Sequence, residues 1–222
     1  MSIVVAIDGP GGVGKSSVSF AVAKNFNFML IDTGAMYRST ALFAIKKGLA
    51  FDGEEILKMT ETLDFSFKQV EDTNKVFVNS EDLSSSIRTQ EVSKLASDVA
   101  KNGKLREILV KKQRELALKH SVVIEGRDIG TVVFPKAKIK LFLTADPKIR
   151  AERRYNELLA KGLDISFEKV LEELKDRDFN DSNRKESPLR QAEDAVLVDT
   201  GYLSIEEVIN KVINIIKEKT EE

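Results

Sequence analysis

Residues 9–16 read Gly9-Pro10-Gly11-Gly12-Val13-Gly14-Lys15-Ser16 and satisfy the pattern G-x-x-x-x-G-K-[ST]. The run before them, Ile3-Val4-Val5-Ala6-Ile7, is short, apolar and β-branched, as a buried strand is. After them, Val18, Ala21, Val22 and Phe26 recur on one helical stripe. A glycine-rich loop between a strand end and a helix start turns its N–H groups, and the positive end of the helix, onto whatever it encloses. That geometry suits a polyphosphate, with Gly9, Pro10, Gly11, Gly12, Val13, Gly14, Lys15, Ser16 and Ser17 as its cradle. Lys15 would reach the β- and γ-phosphates, and the Ser16 hydroxyl would hold Mg²⁺. Chance brings the four fixed positions together in only about 1% of chains this long.

The 222 residues suffice for one α/β domain with a sizeable core and a small insertion. A net charge of −1 provides no global basic field, so neither a nucleic-acid polymer nor a membrane is an expected partner. There is no cysteine, which excludes disulfides and thiolate metal sites and suits a reducing cytoplasm. The single histidine, His120, supports neither a His-rich metal site nor a histidine triad, and reads as structural or solvated. The N-terminal apolar run is too short for a signal peptide and is interrupted by Asp8. The expectation is a full-length cytoplasmic protein that acts as a monomer.

Downstream, Phe28-Met29-Leu30-Ile31 reads as a second strand, followed by a helix that Asp32 or Thr33 caps. Arg38 falls about one turn into that helix, facing the sheet's mouth or solvent. A short helix over residues 54–63 precedes two alternating runs, Phe65-Ser66-Phe67 and Val76-Phe77-Val78, with Asp72-Thr73-Asn74 between them. This hairpin-like insertion within residues 60–98 is either a binding flap or a decoration. Two helices follow, broken at Asn102-Gly103, and the second runs through Leu118. Arg106 lies in its first turn, where a cation opposes the helix dipole and so calls for an anionic or polar partner.

Val122-Val123-Ile124-Glu125 is another buried strand, ending in Gly126-Arg127-Asp128. Glu125 and Asp128 are the candidate carboxylates for Mg²⁺ or its waters, or else a charged loop. After the strand at residues 139–143, Asp146-Pro147 opens a helix bearing Arg150, Arg153 and Arg154. Gly162 breaks it, and a further helix from about Ser166 leads to Arg177, Asp181 and Arg184. Arginine at this density suits bidentate phosphate contacts, and residues 150–166 are the expected lid. Ala195-Val196-Leu197-Val198 is the last strand. Ser204 and Glu207 form a capping box for a final helix whose stripe is Ile205, Val208, Ile209, Val212, Ile213 and Ile216, with a fraying tail at 217–222. About five parallel strands with helices on both faces make a three-layer α/β P-loop fold.

Phosphoryl transfer requires positioning and charge neutralisation more than covalent chemistry. No D-x-x-G segment follows the loop and no N-K-x-D segment occurs, as a guanine-nucleotide switch would need. If the acceptor is a phosphate monoester, its oxygen is already anionic near neutral pH, because the second pKa lies near 6. No general base is then needed, only cations that hold two phosphates in line and a lid that keeps water out.

Five segments together resemble the bacterial cytidylate kinases: residues 9–16, Asp32-Thr33-Gly34-Ala35-Met36-Tyr37-Arg38, Ile87-Arg88-Thr89-Gln90-Glu91-Val92, Gly126-Arg127-Asp128-Ile129-Gly130-Thr131-Val132-Val133-Phe134-Pro135, and the spaced Arg177, Asp181 and Arg184. The resemblance runs through the chain in order. It implies ATP-dependent, Mg²⁺-assisted phosphorylation of CMP and dCMP on an adenylate-kinase-like sheet. It further implies that Arg38, Arg127 and Arg177 hold the acceptor phosphate, that Ser97, Arg106, Asp128 and Arg184 form the cytosine pocket, and that Asp181 meets the sugar hydroxyls. Thr33 and Glu125 stand where some members carry serine and aspartate. Lys15 and Arg127, with Arg150 and Arg154 from the lid, are the candidate catalytic cations. A kinase preferring UMP or another base, and a non-catalytic ATP-binding regulator, are the alternatives.

Overall fold

The computed structural model describes residues 2–221. Its strands are β1 (Val4–Asp8), β2 (Met29–Asp32), β3 (Phe65–Val70), β4 (Thr73–Val78), β5 (Glu81–Asp82), β6 (Val122–Gly126), β7 (Ile139–Thr144) and β8 (Val196–Asp199). Its α-helices are α1 (Lys15–Phe26), α2 (Thr33–Lys46), α3 (Glu54–Thr62), α4 (Gln90–Val99), α5 (Gly103–Ala117), α6 (Pro147–Ala160), α7 (Phe167–Asn183) and α8 (Ile205–Glu221). The expected parallel sheet is present, with five strands in the order β2-β6-β1-β7-β8.

Each central strand is apolar on both sides because both of its faces are covered. On β1, Val5 and Ile7 join the core that includes Val18, Val22, Val208, Val212 and Ile216 of α1 and α8. Ala6, pointing the other way, joins Met36, Leu105, Leu109 and Ile124. The register aligns the strand ends: Asp8 stands beside Gly126, and Asp32 beside Glu125. All the acids that close these strands therefore face one edge of the sheet, beside central β1, where an open α/β sheet binds its ligands.

Helix starts follow the capping residues. Asp32 accepts from Ala35 N, Thr89 from Val92 N, Asn102 from Leu105 N, Asp146 from Lys148 N and Ser166 from Lys169 N. Ser204 and Glu207 make the reciprocal pair expected before α8. α1 is different. Its N-cap is Gly14 in the left-handed region at φ 88°, with no side-chain cap and no acid in the first turn. Its positive end is left open to a ligand.

The structure departs from the sequence reading at several points. Leu118 lies beyond α5 and is exposed, and Ile205 is half-exposed rather than facing the core. The tail expected to fray continues α8 to Glu221, while residue 222 lies outside the described residues. In the insertion, Thr73 and Asn74 belong to β4, so the turn is at 71–72, and β5 adds a third strand. This small sheet docks on the exposed edge of β2: Asn74 Nδ2 donates to Leu30 O (3.3 Å) and Gln69 Nε2 to Phe28 O (3.4 Å). The stretch expected as a lid, residues 150–166, lies in a helical hairpin of α6 and α7, with its own small core of Ala151, Leu158 and Val170 and an edge-on contact between Tyr155 and Phe167. Finally, residues Ile129–Val133, read only as a motif, form a π-helix directly after β6.

Candidate active site

The loop of residues 9–14 is shaped by close approach. Gly9 adopts φ 145°, and a Cβ there would stand 2.2 Å from Leu143 O, so only glycine fits. Lys15 is buried, and its ammonium donates to Gly9 O (2.8 Å) and Pro10 O (2.6 Å). Burial first, and then the Arg127 charge, push this ammonium below its ordinary pKa. A group so placed gains from an anion.

Glu125, at the end of β6, is buried beside this loop. Burial, and then the neighbouring Asp32, raise its carboxyl to about 7 against the pull of Lys15 and a hydrogen bond from Ser16. Ser16 itself is exposed at the first turn of α1. An accessible hydroxyl next to a carboxylate held near neutrality fits a divalent cation, which would favour the ionised form. Asp32 caps α2 and also accepts from Arg38 Nη2 (2.9 Å). Thr33 is buried, and its hydroxyl donates to Glu125 O (2.7 Å), tying α2 to β6.

The arginines gather opposite the loop. Arg127 would lie 3.9 Å from a Cβ on Gly11, and its Nε donates to Asp181 Oδ2 (2.9 Å) on α7. Arg177 comes from the same helix, its pKa lowered to about 10 by burial and then by Arg127. Its Nε, like that of Arg38, is buried with no hydrogen-bond partner. Buried donors in native proteins are normally paired, so unmatched guanidinium N–H groups crowding one another beside Lys15 mark a place for an anion.

Next to them lies a second buried set. Arg106 on α5 pairs with Asp128, which caps the π-helix, and stacks over the Tyr37 ring at 5.2 Å. The anionic partner expected for Arg106 is thus Asp128. Arg184 Nη2 approaches Asp128 Oδ1 at 3.8 Å, too long for a hydrogen bond, and Nη1 approaches Asp181 Oδ1 at 3.8 Å. Arg106 Nε and Arg184 Nη2 also lack partners. Arg127 and Arg177 hold the Asp181 carboxyl below its ordinary range although burial works the other way. This is a polar recess able to present both acceptors and donors to a planar ligand. Ser97 on α4 is half-buried.

The sequence profile of the cytidylate kinases matches residues 5–218. The chain belongs to the cytidylate kinase family. It is therefore a nucleotide-binding phosphotransferase of the P-loop kinase fold. It is 46% identical over 214 residues to a cytidylate kinase from Caldicellulosiruptor bescii, covering 96% of this chain and 95% of that one. To a cytidylate kinase from Syntrophotalea carbinolica it is 44% identical over 218 residues, covering 98% and 93%. Among solved structures, a shikimate kinase from Bacteroides thetaiotaomicron shares the fold alone, at 13% identity with a TM-score of 0.51 over 99% of both chains. Among the described residues no helix is long and apolar enough to cross a membrane.

The two lid arginines singled out from sequence stand apart from the cluster. Arg150 is buried: Nε donates to Ala145 O (2.9 Å), and Nη1 to Gly11 O (3.1 Å) and Asp178 Oδ2 (2.6 Å). Arg154 pairs with Glu157 one turn along α6, at 3.1 Å on the partly exposed side of the hairpin. Asp8, by contrast, went unassigned in the sequence, where it only interrupted an apolar run. It is buried, accepts from Ile129 N (2.8 Å) and Gly130 N (2.7 Å), and so fixes the start of the π-helix from β1. An acid closing an apolar strand just before the loop was its available signal. Tyr37, under Arg106, was likewise unassigned, although it lies inside the quoted Asp32-to-Arg38 segment.

Proposed function

We propose that the chain transfers the γ-phosphoryl group of ATP to the 5′-phosphate of CMP and dCMP. A phosphate oxygen of the acceptor attacks, the β–γ bridge breaks in line, and CDP or dCDP and ADP are formed. The observation that carries this reading is the buried Arg106–Asp128–Arg184 set, standing beside unmatched arginines on the same sheet edge as the loop. Cytosine offers an amino donor next to N3 and O2 acceptors; a carboxylate with guanidiniums beside it can accept from the amino group and donate to N3 and O2 through those guanidiniums. Uracil presents N3–H and O4 instead, so N3–H would face a guanidinium donor and O4 a carboxylate acceptor.

Lys15 and the open end of α1 bind the donor phosphates, with residues 9–17 as the cradle. Arg38, Arg127 and Arg177 hold the acceptor phosphate, and Arg127, which lies against the loop, also reaches the transferring group. Asp181 meets the sugar hydroxyls, while Thr33 and Ser97 line the acceptor side. Ser16, with Glu125 through water, would hold the Mg²⁺ that accompanies ATP. That ion neutralises charge on the β- and γ-phosphates. No residue acts as a base, because the acceptor oxygen is anionic already. Closure of the α6–α7 hairpin excludes water and brings Arg154 inward, while Arg150 holds Gly11 from behind.

Replacing Arg184 with Met tests the base pocket. CMP turnover, read as kcat/KM, falls about 10- to 100-fold, as loss of a hydrogen bond to a charged donor does, while the ATP dissociation constant barely moves. Equal losses for both nucleotides would place Arg184 on the ATP side instead.

A further inference from the structure

The donor loop binds an anion only if its peptide planes turn their N–H groups inward, and this requires something to hold the carbonyls outward. Those carbonyls are taken one after another by groups behind the loop. Gly9 O and Pro10 O accept from Lys15 Nζ, and Gly11 O from Arg150 Nη1. Gly14 O accepts from Val18 N within α1. One further contact comes from far away in sequence: the hydroxyl of Thr200, 1% exposed, donates to Val13 O at 3.1 Å.

Thr200 is held firmly enough to do this. Its N–H donates to Thr144 O (2.8 Å) at the end of β7. Its hydroxyl accepts from Arg153 Nη1 (3.1 Å), which leaves the hydroxyl proton to point at Val13, and Arg153 Nη2 also donates to the Thr200 carbonyl. The residue thus joins three bodies: the donor loop, the first helix of the lid hairpin, and the turn between β8 and α8. Val13 itself is buried against the core, so its peptide can rotate only if this carbonyl is released.

We propose that Thr200 is a positioning residue for the donor loop, fixing the Val13 peptide so that its neighbours' N–H groups stay aimed at the ATP phosphates, with Arg153 orienting its hydroxyl. The proposal rests on ATP being the donor, and it is tested without the acceptor. Thr200→Val keeps the shape and removes the hydroxyl; Thr200→Ser keeps the hydroxyl. Titration calorimetry with Mg-ATP, in the absence of CMP, should show about tenfold weaker binding for Thr200→Val, as loss of one hydrogen bond predicts, and near wild-type binding for Thr200→Ser. CMP binding, titrated separately, should change less than about twofold for both variants. Because the readout is ATP binding alone, a protein phosphorylating some other acceptor would give the same answer. Unchanged ATP binding in Thr200→Val alongside a lowered melting temperature would overturn the proposal. So would equal weakening of ATP and CMP, or failure of Thr200→Ser to restore ATP binding.

Discussion

Asp8 illustrates how one carboxylate serves both halves of the site. Its backbone leads into the donor loop, while its side chain holds the π-helix that carries Asp128. Burial first raises its pKa from 3.8 to about 6, although the two backbone N–H groups pull it down. The folded protein therefore keeps the Asp8 proton to a higher pH than the unfolded chain does. Stability from this group is full below 3.8, is lost as pH rises toward about 6, and stays reduced above that. Asp8→Asn removes the titration, so its unfolding free energy relative to wild type should rise by about 2 kcal/mol between pH 4 and pH 7. Denaturant melts at both pH values check this, and a difference independent of pH would contradict it. Lys15 and Ser16 were legible in the sequence because their motif is local, with fixed spacing and flanking periodicity. Asp8 and Thr200 were not, since each acts on a segment more than a hundred residues distant and no period marks it.

At the scale of elements, the parallel strands and amphipathic helices could be read from their periods, and the capped helix starts from single residues such as Asp146 and Ser204. The π-helix could not. Its wide turns, closed by Val133 N to Asp128 O (3.1 Å) and Phe134 N to Ile129 O (2.7 Å), impose no hydrophobic repeat on five residues. It forms because Asp8 meets its first N–H groups, and because Gly130 lets Lys140 pack within 3.2 Å of where a Cβ would be. The lid hairpin was expected as a short arginine-rich stretch, since its apolar residues are sparse. They make a small core of their own beside the contacts of Arg150, Arg153 and Asp181 with the main body. Leu158→Ala should cost about 2–4 kcal/mol of local stability. Hydrogen exchange should then quicken across α6 and α7 and remain unchanged in β1, β6 and β7. Loss of protection throughout the protein would show that the hairpin is not an independent unit.

Across the whole molecule, the sheet order converts local motifs into one site. Central β1 delivers the loop, β6 delivers Glu125 and the π-helix, and β2 delivers Asp32 and α2 with Arg38, all at one edge. Helices α5 and α7 close over it with Arg106, Arg177 and Asp181. The donor half was readable from eight consecutive residues. The residues proposed for the acceptor half come from five separate segments, and only their resemblance to a known family linked them before the fold brought them together. The insertion, left open as flap or decoration, caps the β2 edge through Asn74 and Gln69. Together, we propose, these halves make a cytosine-selective monophosphate kinase. The most direct measurement is ADP release from Mg-ATP with CMP, dCMP, UMP, AMP and GMP in turn. Turnover with CMP and dCMP should be at least about tenfold more efficient than with any other acceptor; equal rates with UMP, or ADP release no faster with a nucleotide than with water alone, would rule out a cytosine-selective kinase.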